Sequence, residues 1–174
     1  MIEEKLNSLG VKLSDTQSTV GSFLPVVITG NLAFVSGQIP IEPGSNPVQV
    51  NYKGKVGREI SLEDGRAAAR VCIINGLSEL KQALGTLDKI KKFVKVSGYV
   101  NCDPSFTGHA KVINGASDFI VEVFGEKGKH ARASVGVSSL AFDSSVEVEF
   151  IVEVCSDVVG KDVVMVRGKE EYDG

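Results

Sequence analysis

Two histidines and three cysteines are all that the sequence offers a soft metal ion, and they do not gather. Cys72, Cys102 and Cys155 stand far apart with no C-x-x-C pair, so no zinc-binding pattern is written into the chain and no metal site is expected. An odd, scattered set of thiols is read most simply as reduced, in a cytoplasmic protein. No apolar run approaches membrane-spanning length. The opening MIEEKLNSLG carries acids where a secretory signal needs a positive segment followed by an apolar one, which argues against export. Basic charge is also short. With 19 Lys and Arg against 22 Asp and Glu, the formal net charge is -3, and the balance argues against a nucleic-acid partner. Internal repeats, low-complexity tracts and domain linkers are missing as well.

What is present is enough for a core. A chain of 174 residues, 43% hydrophobic and 24% charged, fits one globular domain over residues 1–174. Its core is expected over about 20–154, with an N-terminal helix or extension over 1–19 and a C-terminal extension over 155–174. Ile2, Leu6 and Leu9 share one side of a short helix that Gly10 stops. PVVITGNLAFVS, residues 25–36, reads as two β runs around Gly30-Asn31, a hairpin dipeptide. Residues 36–57 hold most of the prolines and predict a long loop with one short extended piece. Ser61 and Asp64 resemble a capping box, and Ala69, Ile73, Leu77, Leu80 and Leu84 then recur at helical spacing up to Gly85.

A strand follows over 89–101, with Val94, Val96 and Val100 on one face and Lys95, Ser97 and Tyr99 on the other. Asp103-Pro104 predicts the start of a second helix whose stripe is Phe106, Ile113, Ile120 and Phe124. Asn114-Gly115 interrupts that helix, as a kink or close packing contact, or else as a polar tip facing a pocket; the packing reading is favoured. Residues 163–166 add a β-like stretch to a charged tail.

The last two strands carry the clearest alternation. Val146, Val148, Phe150, Val152 and Val154 point one way, and Glu147, Glu149 and Glu153 the other. Earlier, Ala131, Ala133, Val135 and Val137 share a face opposite His130, Arg132, Ser134 and Ser138. Placed side by side, the two strands put one arginine and several carboxylates on one polar face, which lines either solvent or a cavity. Arg132 is then either a clamp for a carboxylate or one half of a surface ion pair with Glu149 or Glu153. His109 reads as a helix-surface residue, His130 as a strand-entry residue and Cys72 as inert packing. Taken together, the element order predicts an α+β fold with two main helices packed on one face of a mixed sheet.

NLAFVSGQIP at 31–40, HARASVGV at 130–137 and VEVEFIVEV at 146–154 together resemble the reactive intermediate deaminase family (RidA/YjgF, also labelled L-PSP endoribonuclease). GKVG at 54–57 and KVINGASD at 111–118 point to a longer-chain subgroup of it. The resemblance implies a chorismate-mutase-like α+β domain assembled as a homotrimer with clefts between subunits. It implies hydrolysis of enamine or imine (2-imino acid) intermediates to a 2-keto acid and ammonia, without cofactor or metal. Carried onto this chain, it makes Arg132 the clamp for the substrate carboxylate and Glu147 the acid that places the attacking water, and it puts Ser36 and Gly37 in the cleft wall. Phe23 stands where the best-known members have a cleft tyrosine, Ser134 where they often have cysteine, and His130 where proline is common; Asn114 is the candidate counterpart of the family's cleft asparagine. A planar, bidentate guanidinium and one acceptor carboxylate suit a flat 2-imino acid that needs only a positioned water. Two other readings stand beside the deaminase: a non-catalytic trimer that binds or senses small carboxylates, and the endoribonuclease of the older label, which the acidic balance disfavours.

Overall fold

Ser61 opens the longest helix by accepting the Asp64 amide on its hydroxyl oxygen at 3.0 Å. The return bond of a full capping box is replaced by a shorter one: the Ser61 hydroxyl donates to the Asp64 carboxylate at 2.7 Å, because aspartate is too short to reach back to the backbone. This helix, α2 (Leu62–Leu84), buries Ala69, Ile73, Leu77, Leu80 and Leu84 as their spacing predicts, and Gly85 closes it in the left-handed region at φ 81°. The computed structural model describes residues 1–14, 22–42, 45 and 48–155; the β-like stretch at 163–166 lies outside them. The short N-terminal helix is α1 (Ile2–Ser8), and Leu6 is its buried anchor.

Five strands form one sheet in the order β1-β2-β5-β3-β4. β1 (Val26–Thr29) and β2 (Leu32–Gln38) are the hairpin turned by Gly30-Asn31. β5 (Val146–Val154) lies between β2 and β3 (Ile90–Asn101), antiparallel to both. β4 (Ala131–Val137) is an edge strand, parallel to β3. That parallel pair is joined through α3 (His109–Phe124), a crossover of the βαβ kind. α2 and α3 both pack on one face of the sheet, as expected for this α+β class. Phe93 stacks on Phe150 at 5.6 Å and meets Phe124 edge-on at 4.9 Å, in the layer between sheet and helices.

Three local expectations need correction. The second helix does not start at Asp103: that residue makes a turn, its carboxylate accepting the Ser105 amide and hydroxyl, and α3 begins at His109 after Gly108. Phe106 therefore precedes the helix, whose buried stripe is Val112, Ile113, Ala116, Phe119, Ile120, Val123 and Phe124. Val94 does not share a face with Val96. The register slips between Phe93 and Lys95, so Val94 is an extra bulge residue and Phe93 takes its place in the core.

The third correction bears on function. β4 and β5 are not neighbours, because β3 lies between them. The 138–145 connection carries the chain over the end of the sheet, through left-handed Phe142 and Asp143 at φ 56° and 57°, and β5 enters on the far side of β3. Register then fixes the faces. Arg132 is paired with Val96 and Val96 with Phe150, all on the helix-covered side; Glu147 is paired with Tyr99 and Tyr99 with Val135, on the open side. Within one chain Arg132 and Glu147 point to opposite faces of the sheet, not to a shared polar one.

Candidate functional site

On the open face the site starts from a bulge. Between the pairs Val35–Phe150 and Gln38–Val148, Ser36 and Gly37 stand opposite Glu149 alone. The Ser36 hydroxyl donates to the Leu24 carbonyl at 2.7 Å, which ties Leu24 and the exposed Phe23 before it to the same spot. A Cβ on Gly37 would overlap the Glu147 carboxylate, which lies across the strand, so any larger residue here would have to displace that side chain. Burial, and then the neighbouring Glu149, push the Glu147 carboxyl above the usual carboxylate range. Tyr99 donates to Glu149 Oε1 at 3.1 Å, and burial followed by that carboxylate raises its own pKa. Ser36 and Glu149 also line a shallow groove with Val27, Phe34 and Ile151.

The second group of residues lies at the sheet's edge on the helix side. Arg132 leaves β4 toward α3 and donates from Nη1 to Asn114 Oδ1 at 2.8 Å and to Ser117 Oγ at 3.0 Å, and from Nη2 to the Ala110 carbonyl at 3.4 Å. It has no carboxylate partner among the described residues. The surface ion pair with Glu149 or Glu153 does not form; Glu153 is held instead by Lys91 and Lys92, at 3.5 Å each. At Asn114-Gly115 the packing reading holds. Gly115 is the packing contact, since a Cβ there would overlap the Arg66 carbonyl oxygen of α2, and Asn114 is turned to Arg132. Ser134, on the same side as Arg132, has its hydroxyl oxygen buried without a partner among the described residues.

The expected site residues thus fall into two half-sites: Phe23, Ser36, Gly37 and Glu147 on the open face, and Arg132, Asn114 and Ser134 on the other. Sequence reading missed the Tyr99–Glu149 bond and the contacts of Ser117 with Arg132 and His130. For Ser117 a signal was available, because Asn114 and Ser117 are polar positions three apart on the helix that leads into the arginine strand, and so share one side of it. His109 is a correction of another kind: it is half-buried, with Nε2 3.4 Å from Cys102 Sγ and its ring edge-on to Phe106, rather than on the helix surface. Cys72 is fully buried, as its packing role requires. Among the described residues no group of three or more His, Cys, Asp or Glu side chains is placed to hold a metal ion, and no helix is long and apolar enough to cross a membrane.

Comparison with known proteins extends over nearly the whole described chain. The family model described as "YjgF/chorismate mutase-like, putative endoribonuclease" matches residues 3–154. Protein TCP17 of Trypanosoma cruzi is 40% identical over 154 residues, covering 88% of this chain and 94% of that protein. A crystal structure of a protein of unknown function from Agrobacterium tumefaciens superposes with a TM-score of 0.81 at 42% identity, covering 88% of this chain and 92% of the other. A "putative endoribonuclease" from Shewanella oneidensis superposes with a TM-score of 0.83 at 31% identity, covering 88% and 99%. Together with the five-stranded mixed sheet and its two covering helices, these matches place the chain in the YjgF/RidA family.

Proposed function

We propose that the chain is a hydrolytic deaminase of reactive enamine and imine intermediates, converting 2-imino acids to 2-keto acids and ammonia in clefts between the subunits of a homotrimer in the cytoplasm. Family membership supports the reaction class. The observation that carries the residue assignment is Arg132 itself: an exposed guanidinium on an edge strand, held from one side by neutral partners, with no carboxylate among the described residues to neutralise it. A small carboxylate is the ligand that this charge lacks.

The opposite facing of Arg132 and Glu147 favours a cleft shared between copies. One chain cannot present both groups to one small molecule, since two strand spacings of roughly 5 Å each separate β4 from β5 and the side chains diverge. A neighbour's open face laid against the β4 edge would bring its Glu147, with Ser36 and Gly37, to this chain's Arg132. In such a cleft Arg132 grips the carboxylate. Glu147, its basicity raised by burial, accepts a proton from the water that adds to the imine carbon. The electron pair of the C=N bond passes to nitrogen, which takes up a proton, and the carbinolamine collapses to the ketone with loss of ammonia. No cofactor enters these steps.

The test is the decay of 2-iminobutanoate generated in situ by a threonine dehydratase, alongside calorimetric binding of 2-oxobutanoate. Arg132→Ala should lower both turnover and binding at least about tenfold, since charge-assisted bonds contribute about 1.5–3 kcal/mol each. Arg132→Lys should recover little, because an ammonium lacks the fork. Glu147→Gln should slow hydrolysis and leave binding nearly intact. Wild type that binds the keto acid without speeding the decay would replace the deaminase by the carboxylate sensor. Full activity in Arg132→Ala would overturn the clamp.

A further inference from the structure

Ala110, Asn114 and Ser117 follow one another at intervals of four and three, so they stack along one side of α3, the side turned to β4. All three receive a hydrogen bond from Arg132. The line continues behind Ser117, whose Oγ is 2.9 Å from His130 Nε2, while His130 Nδ1 is 2.6 Å from the Gly128 carbonyl oxygen. A carbonyl oxygen can only accept, so Nδ1 carries the ring proton and Nε2 of the neutral ring accepts. The Ser117 hydroxyl therefore donates to His130, and its lone pair receives Arg132. Burial holds the His130 pKa below its ordinary value, and the Arg132 charge adds to this against the opposite pull of the Gly128 carbonyl, which keeps the ring neutral at pH 7.

The donors already engaged decide what this line can do. Nη1 has both of its N–H bonds in use and Nη2 has one; the Nε–H and the second Nη2–H have no partner among the described residues. The Nε–Nη2 edge presents the parallel N–H pair that meets a carboxylate side-on, and its one contact among the described residues is the long Nη2 bond to Ala110. Ser117 is bonded to Nη1, on the other side of the planar guanidinium. A serine hydrogen-bonded to a histidine looks like a nucleophile with its base, but this one stands behind the clamp instead of beside the ligand.

We propose that Ser117 and His130 are positioning residues for Arg132, locking its guanidinium so that the Nε–Nη2 edge faces outward to take a small carboxylate. This rests on the reading that Arg132 is the carboxylate clamp. Without the pair, the guanidinium keeps only Asn114 and a long bond to Ala110, and it must give up rotational freedom each time a ligand binds.

The experiment uses the full chain and two readouts. Calorimetry with 2-oxobutanoate should show affinity falling about three- to tenfold in Ser117→Ala and in His130→Leu, with Ser117→Thr restored to within about twofold of wild type, the order of one hydrogen bond's net contribution. The Ser117→Ala, His130→Leu double variant should bind no worse than Ser117→Ala alone, because the imidazole acts through the hydroxyl. Without any ligand, nitrogen-edited NMR at low temperature should resolve separate Arg132 Nη1 protons in wild type and in Ser117→Thr, merging in Ser117→Ala. Arg132→Ala losing the keto acid while Ser117→Ala binds at wild-type strength would overturn the positioning role and leave the clamp standing. Averaged Arg132 signals in wild type would overturn it as well. If Arg132→Ala itself binds normally, the clamp falls, and the NMR result alone decides whether the guanidinium is held.

Discussion

At Gly115 the structure has no room for a single methyl group. The atom that an alanine would strike is the Arg66 carbonyl oxygen, part of the α2 backbone and unable to turn aside as a side chain could. Gly115→Ala must therefore push α3 away from α2, loosening the packing of Val112, Ile113 and Ala116 and the Arg66–Asp118 bridge at 3.0 Å. A loss of about 1–3 kcal/mol in urea unfolding is expected, typical of overpacking. Because Asn114 is the next residue, the same variant should also weaken keto-acid binding through Arg132. Unchanged stability would mean that the two helices do not approach as closely as this.

At the scale of the element, α2 carries a charge that it pays to bury. Glu79 is 3% exposed, has no partner among the described residues, and has its pKa raised by burial from 4.5 to about 7. Below pH 4.5 both folded and unfolded chains hold the proton, and burial costs nothing electrostatic. Between 4.5 and about 7 the folded chain keeps a proton that the unfolded chain has lost, so stability falls as pH rises through that window. Above it the penalty reaches at most about 3.5 kcal/mol, from roughly 1.4 kcal/mol per pKa unit. Glu79→Gln should melt with wild type near pH 4 and above it at pH 8, in thermal scans across that range. Equal melting temperatures at pH 8 would show that the folded carboxylate finds compensation.

For the whole molecule, the open sheet face is the surface on which the proposed assembly depends. Phe34 is 39%, Val27 47% and Val135 46% exposed, on the same face as the buried-leaning Glu147 and the Tyr99–Glu149 pair. If that face is the subunit boundary of a closed three-fold assembly, light scattering at micromolar concentration should give about three times the 18.5 kDa chain mass. Phe34→Asp should shift the mass toward the monomer and abolish imine hydrolysis while leaving far-ultraviolet circular dichroism unchanged, because the side chain is not part of the core. A clean wild-type monomer would remove the shared cleft and with it the proposed mechanism.

The local elements were legible in the amino acids because each rests on short-range physics. Period-3.6 apolar spacing wrote α2, the period-2 alternation wrote β5, Gly30-Asn31 turned the hairpin, and the 31–40 and 130–137 signatures pointed to the family and so to the fold. Tertiary structure alone decided the faces. Alternation says that Arg132 and Glu147 each oppose an apolar set, but it does not say which set meets the helices. For β5 the valines do, whereas on β4, an edge strand half outside the core, Arg132 itself turns to the helix side because α3 offers it Asn114, Ser117 and the Ala110 carbonyl. Strand order is equally non-local: β4 must follow α3 back to lie parallel to β3, which leaves β5 only the other side. Bulges between Ile90 and Lys92, at Val94 and at Ser36-Gly37 each shift the register by one residue, and a shift of one residue exchanges the faces of a strand.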